Sequence, residues 1–316
     1  MNDQNLENII DSTVNFKVDG KIESSDTRIV VIGASHAGIS FADQIRKYGF
    51  VGSLTLIDRQ KGGPMERPPL SKAFLLETTD QMNPMFLLRR GKWYKEQKIN
   101  LKHGMNVTKI NASAQTVMLS NGEQLEFDKL VLATGAVPRS LASTEELSNV
   151  FVLRQPDDAT AIRATARNVN NAVIIGGGYI GLEVAASLRQ MGLEVSVIEM
   201  ADRLLARVAS SPVAQLLNDL HVEHGVSVYT GVSVDKITNS NGQFSGVTLA
   251  DGTVLSGDML IVGIGVIPDS ELARQAGIET ERHDGGAILV NTSMQTSNPN
   301  IIAMGDVALQ RGHSLR

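Results

Sequence analysis

The chain has 316 residues, enough for two domains at roughly 100–200 residues each, and 42% of them are hydrophobic, enough to fill sizeable cores. A net charge of −5 gives nucleic-acid binding no electrostatic support. There is no cysteine, which excludes disulfides, thiolate metal sites and cysteine nucleophiles within the chain. No apolar run reaches the roughly 18 residues that a membrane-spanning helix needs, so a mildly acidic, cytoplasmic enzyme is the expectation.

Residues 1–24 are polar and acidic and lack the basic start and apolar centre of a secretory signal, so a flexible extension is expected there. Ile29-Val30-Val31-Ile32 is too short and too β-branched for a helix and reads as a buried strand. A turn, Gly33-Ala34-Ser35-His36-Ala37-Gly38, follows. Helical spacing then runs over 39–48 and stops at Gly49, and a second strand over 54–58 ends at Asp58. In Glu66-Arg67-Pro68-Pro69-Leu70-Ser71-Lys72 the prolines fix φ and stiffen the chain, and Ser71 is placed to cap a helix over 72–76. Residues 106–128 alternate and turn at Asn121-Gly122, a hairpin pattern, before the apolar strand Leu130-Val131-Leu132 and Ala133-Thr134-Gly135.

The same order then recurs. Val173-Ile174-Ile175 reads as a strand, Gly176-Gly177-Gly178-Tyr179-Ile180-Gly181 as a turn, 182–191 as a helix stopped by Gly192, and 194–199 as a strand ending at Glu199. Residues 226–258 read as hairpins with turns at Asn241-Gly242 and Asp251-Gly252, followed by Met259-Leu260-Ile261-Val262 and then Gly263 and Gly265. A repeat of this size means two similar domains.

The second turn is a full G-x-G-x-x-G. Its first glycine makes the tight turn, its second admits a pyrophosphate, its third lets helix and strand pack, and the helix N-terminus faces the phosphates. Glu199 stands where a carboxylate accepts hydrogen bonds from an adenosine ribose and repels a 2′-phosphate, which favours NADH; Arg203 nearby works against that preference. The first turn departs from the fingerprint, with the small Ser35 in the middle place and Asp58 as its acid. His36 reads as a turn residue packed beside this loop.

These segments resemble the flavoproteins with two dinucleotide-binding domains. Residues 296–306, ending in Gly305-Asp306, are similar to their second FAD signature, and Leu132-Ala133-Thr134-Gly135 to their ATG signature. The Arg-Pro-Pro-Leu-Ser-Lys motif resembles that of oxygenase-coupled NADH–ferredoxin reductases, rubredoxin reductases and apoptosis-inducing factors. The resemblance implies an α/β fold of two Rossmann-like domains, each a three-layer β/β/α stack. A discontinuous FAD domain would occupy 25–140 and 263–316, and an NADH domain 141–262. It implies FAD held by Gly33, Ser35, His36, Ala37, Gly38, Asp58, Arg67, Lys72, Ala133, Thr134, Gly135, Arg139, Gly305 and Asp306. NADH would be held by Gly176, Gly178, Tyr179, Ile180, Gly181, Glu183, Glu199, Gly263 and Gly265.

It further implies Lys72 and Glu183 as a catalytic pair near flavin N5, although Glu183 also reads as a helix-dipole partner. With no dithiol in the chain, electrons taken from NADH would leave for an external acceptor. The expected acceptor is a ferredoxin-type iron–sulfur protein, Rieske or two-iron–two-sulfur, that supplies an oxygenase. A rubredoxin reductase, a nitrite-reductase-type NADH module and a flavin-bound scaffold of the apoptosis-inducing-factor kind are the alternatives. Reductases of this kind continue beyond their second FAD signature, so a missing C-terminal interface domain is also expected.

Overall fold

The computed structural model describes residues 26–79, 83–282 and 285–311; the expectations for 1–24 and for the chain end at 313–316 lie outside the described residues. The chain divides into two compact units. One comprises Met1–Glu66, Met82–Val137 and Ile267–Arg316, the other Arg67–Gln81 and Pro138–Val266. The proline-rich motif therefore clusters with the second unit, whereas the sequence reading put it in the FAD domain.

In the first unit, Arg28–Ile32 is central to a five-stranded parallel sheet. Ser53–Asp58 and then Ile99–His103 lie on one side of it, and Lys129–Leu132 and then Ile301–Ala303 on the other. Strand residues alternate between faces. Val30 and Ile32 join Val107, Ile110, Val117 and Leu119 of an antiparallel three-stranded meander in one core. Ile29 and Val31 join Ile39, Ala42 and Ile45 of the helix His36–Lys47 in another. The sheet is thus covered by strands on one face and by a helix on the other, the expected three layers.

The second unit repeats this plan around Asn171–Ile175, flanked by Glu194–Glu199 and Val226–Thr230 on one side and by Met259–Val262 and Val150–Phe151 on the other. Val173, Leu260 and Val262 pack with Phe244, Val247 and Leu249 of the meander Val234–Ser240, Gln243–Leu249, Val254–Ser256. The helix Tyr179–Gln190 packs on the strands Asn171–Ile175 and Glu194–Glu199 and buries Leu182, Val184, Ala185 and Leu188.

Two local readings change. Both turn helices start three residues earlier than the apolar spacing predicts, because the last residues of each glycine turn already have helical backbone. Val226–Thr230 belongs to the parallel sheet, paired with Glu194–Glu199, and not to the hairpins after it. Its alternating pattern suits either pairing, and only the neighbouring strand decides. Among the described residues, no helix is long and apolar enough to cross a membrane.

Candidate nucleotide sites and the Lys72–Glu183 pair

Both turns are closed by the same backbone bonds. Gly33 N donates to Ile57 O and Gly176 N to Ile198 O, each at 2.8 Å; Ala133 N donates to Ile32 O and Gly263 N to Ile175 O, also at 2.8 Å. Gly33 and Gly176 have φ of +100° and +116°, and a Cβ on either would come within 2.2 Å of Ala133 O or 2.3 Å of Gly263 O. On Gly38 or Gly181 a Cβ would stand 2.0 Å from the carbonyl of Gly33 or Gly176. These four glycines are demanded by backbone packing alone.

Gly178 differs: a Cβ there meets nothing within 4 Å. Its glycine leaves room above the N-terminus of a helix that has no side-chain cap and no acid in its first turn, where Tyr179 and Ile180 lie exposed. Gly265, after the neighbouring strand, also opens onto free space. In the first unit the half-buried Ser35 holds the corresponding place at the start of the helix His36–Lys47, with His36 exposed and Ala37 half-buried. Gly305 has φ +75°, and a Cβ on it would come 2.9 Å from that of Ala37, so the Gly305-Asp306 signature lies against the first turn with Asp306 exposed. Open space at the middle turn residue and uncapped helix N–H groups fit a pyrophosphate.

The acids are fixed by backbone amides. Glu199 takes Gly177 N on one carboxylate oxygen at 2.7 Å and Ala201 N on the other at 2.8 Å. Asp58 takes Gln60 N at 3.2 Å. Burial first, and then the charge of Asp58, push the Tyr94 hydroxyl up to about 12. Arg203 donates to Ala209 O and Ala206 O, both at 2.9 Å, so its guanidinium is occupied by the loop that follows. Thr134 Oγ1 donates to Asp269 O at 2.6 Å, the exposed Arg139 donates its backbone N–H to Gly265 O at 2.9 Å, and Gly135 has φ +76°.

Within the second unit, Lys72 Nζ lies 2.6 Å from Glu183 Oε2, and Ser71 Oγ donates to the same oxygen at 2.5 Å. Arg67 donates to Arg154 O at 3.0 Å. Ser71 is not the cap of a following helix. Pro68 and Pro69 open a 3₁₀ turn, Pro68–Ser71, one turn earlier than expected, and Ser71 closes it with its hydroxyl turned to Glu183. Prolines lack N–H groups and so suit the first positions of a turn. Glu183 lies beyond the first helical turn, and its partners are Lys72 and Ser71. Sequence reasoning missed the contact of Ser71 with Glu183, Ser187, and the amides that hold Glu199. The spacing of Glu183 and Ser187, one helical turn apart, is the signal that could have found the first two. Among the described residues, no group of three or more His, Cys, Asp or Glu side chains could hold a metal ion.

Residues 27–315 match the pyridine nucleotide-disulphide oxidoreductase family. The chain belongs to that family. It is 38% identical to rhodocoxin reductase of Rhodococcus erythropolis over 89% of its own length and 64% of that protein's. Putidaredoxin reductase CamA of Pseudomonas putida is 39% identical over 92% of the chain and 68% of the relative. Among solved structures, the ferredoxin reductase for the CYP199A2 system of Rhodopseudomonas palustris superimposes with a TM-score of 0.85 at 36% identity, covering 90% of this chain and 69% of that one. Putidaredoxin reductase in its covalent complex with putidaredoxin gives 0.83 at 38% identity, covering 92% and 69%. The chain thus spans about two thirds of the length of these relatives. The family name refers to a disulphide chemistry for which this chain has no cysteine.

Proposed function

We propose that the chain is an FAD-dependent NADH oxidoreductase that delivers electrons to a ferredoxin-type iron–sulfur protein, in support of an oxygenase. The observation that carries the reading is the Lys72–Glu183 ion pair at 2.6 Å in a family member with no cysteine. When bound, FAD supplies the chemistry, accepting hydride from NADH and releasing electrons singly. The chain's own residues bind and orient. In the first unit, Gly33, Ser35, His36, Ala37 and Gly38 would hold the FAD pyrophosphate and Asp58 a ribose hydroxyl. Asp306 would take the ribityl chain, and Ala133, Thr134 and Gly135 would lie along the flavin; Arg67 and Arg139, which the family resemblance adds to this set, belong to the second unit. In the second, Gly176, Gly178, Tyr179, Ile180 and Gly181 would receive the NADH pyrophosphate and Glu199 a ribose hydroxyl, with Gly263 packed beside the turn and Gly265 open beyond it. Lys72 would offer a positive charge to the flavin ring, with Glu183 as its counter-charge.

NADH is the donor because Glu199 is locked in place by two amides while Arg203, the nearby cation, is committed to carbonyls. The names of the relatives favour a ferredoxin acceptor.

Rapid mixing with NADH tests the pair. Lys72→Ala and Glu183→Ala should each slow flavin reduction at least about tenfold, the size expected when a preorganised charge is removed, while bound FAD and its spectrum stay. Unchanged reduction in both variants would remove the pair from the mechanism. Steady NADH turnover with a ferredoxin separates this enzyme from a flavin-bound scaffold.

A further inference from the structure

Residue 71 is gripped twice by one face of the helix Tyr179–Gln190. Ser187 Oγ donates to Ser71 O at 2.7 Å, and Ser71 Oγ donates to Glu183 Oε2 at 2.5 Å. Glu183 and Ser187 stand at i and i+4, so they share that face. Both serines are buried, Ser71 at 1% and Ser187 at 4% exposure, whereas the Lys72 side chain is 50% exposed. Beyond residue 72, Arg163, itself buried at 2% exposure, donates to Phe74 O at 2.8 Å and stacks over the Phe74 ring.

Glu183 Oε2 therefore has two donors of opposite character. One is a short, buried hydroxyl on a pinned backbone. The other is an ammonium on a long, half-exposed stem, which carries large rotamer entropy and fixes a partner poorly. A serine hydroxyl has a single hydrogen. The alternative acceptor, Pro68 O, lies at 3.4 Å, so the hydrogen goes to the carboxylate, where the charge roughly doubles the strength of the bond.

We infer that Ser71 is a positioning residue: its hydroxyl fixes the Glu183 carboxylate, and the fixed carboxylate sets where the Lys72 ammonium stands. Ser187 supports it by pinning the Ser71 backbone. The lysine of the motif is thereby aimed by the residue before it, through the glutamate on the helix. This inference rests on the reading of Lys72 and Glu183 as the pair that serves flavin reduction.

The test compares Ser71→Ala, Ser71→Thr and Ser71→Cys with Lys72→Ala and Glu183→Gln, all on the FAD-loaded protein. Three quantities are read. These are the limiting rate of flavin reduction, the NADH Kd from its concentration dependence, and the rate at which an amine-reactive reagent labels Lys72 without NADH, followed by mass spectrometry. Loss of one hydrogen bond to a charged group should lower the limiting rate of Ser71→Ala about tenfold and leave NADH Kd within about twofold. Lys72 labelling should rise several-fold, since its counter-charge is no longer held. Ser71→Thr, which keeps the hydroxyl, should restore rate and labelling. Should Ser71→Ala fail to fold, Ser71→Cys, nearly the same shape with a weak donor, takes its place with the same expectation. If the Ser71 variants reduce flavin and label like the parent while Lys72→Ala and Glu183→Gln are slow, the role of Ser71 is wrong and the pair stands. If Lys72→Ala and Glu183→Gln also reduce normally, the reading of the pair falls and the inference with it.

Discussion

The two glycine turns share a backbone and differ in their side chains, and the difference separates what the fold requires from what a nucleotide requires. The outer glycines of each turn, Gly33 and Gly38 or Gly176 and Gly181, are forced by carbonyls 2.0–2.3 Å from where a Cβ would stand. The middle place is under no such pressure: Gly178 opens on free space, and the first turn holds Ser35 there. The second residue diverges for a third reason. Ala34 buries its methyl completely in the helix-side core. Its counterpart Gly177 has less room: a Cβ there would meet Leu204 Cδ2 at 2.6 Å and Glu199 Cβ at 3.0 Å, so those side chains would have to shift. The longer acid of the second unit folds back over its own turn and takes the Gly177 amide.

The sharpest way to break this comparison is to add one methyl at different places in one turn. Gly176→Ala combines a positive φ with a backbone collision and should cost about 3 kcal/mol or more, seen as a large drop in melting temperature or loss of soluble protein. Gly178→Ala should melt within a few degrees of the parent, yet bind NADH more weakly in a fluorescence titration if, as proposed, the open space there receives the pyrophosphate. Similar melting for the two would mean that packing does not distinguish the positions.

A smaller effect is expected at the acid. Glu199→Gln keeps an oxygen for one amide but removes the charge that opposes a 2′-phosphate. The ratio of kcat/KM for NADPH over NADH should rise about tenfold, the scale of one electrostatic contact, without reversing, since Arg203 remains tied to Ala206 O and Ala209 O. An outright NADPH preference in this variant would show that Arg203 leaves its carbonyls readily.

The smallest effect concerns the aspartate before the fourth strand of each sheet. Asp258 accepts from Asn170 N and Asn171 N at 3.0 and 2.9 Å. Asp128 accepts from Arg28 N at 2.7 Å and also from its guanidinium at 3.0 and 3.1 Å. Hydrogen bonds from the Arg28 side chain hold the Asp128 carboxyl below its usual range. A depressed carboxyl adds stability above its unfolded pKa, near 3.9, and loses it as pH falls through the folded value. Arg28→Asn, which copies the second unit, should therefore melt slightly below the parent at pH 7, with the gap starting to narrow below about pH 4 and closing once pH is under the folded value. A gap that persists in acid would assign the loss to packing of the arginine stem.

Much of the fold and part of the site were legible in the sequence, because their causes are local. Short β-branched runs make strands, glycines at positive φ make turns, and the recurrence of Gly33-to-Asp58 as Gly176-to-Glu199 announces two like units before any contact is known. The approach of Lys72 to Glu183 was legible only through resemblance to a family motif, since residues so far apart in the chain have no local reason to meet. Other features were decided by tertiary structure. The fifth strand of the first sheet is Ile301–Ala303, from late in the chain, whereas that of the second is Val150–Phe151, from before its own first turn. Any short apolar strand satisfies an edge, so connectivity and not composition settles which one arrives. Val226–Thr230 joined the parallel sheet for the same reason. The Ser71 hydroxyl, equally suited by its local sequence to capping a helix, turned to Glu183 because packing against the helix Tyr179–Gln190 put a half-buried carboxylate within reach, and a charged acceptor outcompetes a neutral one.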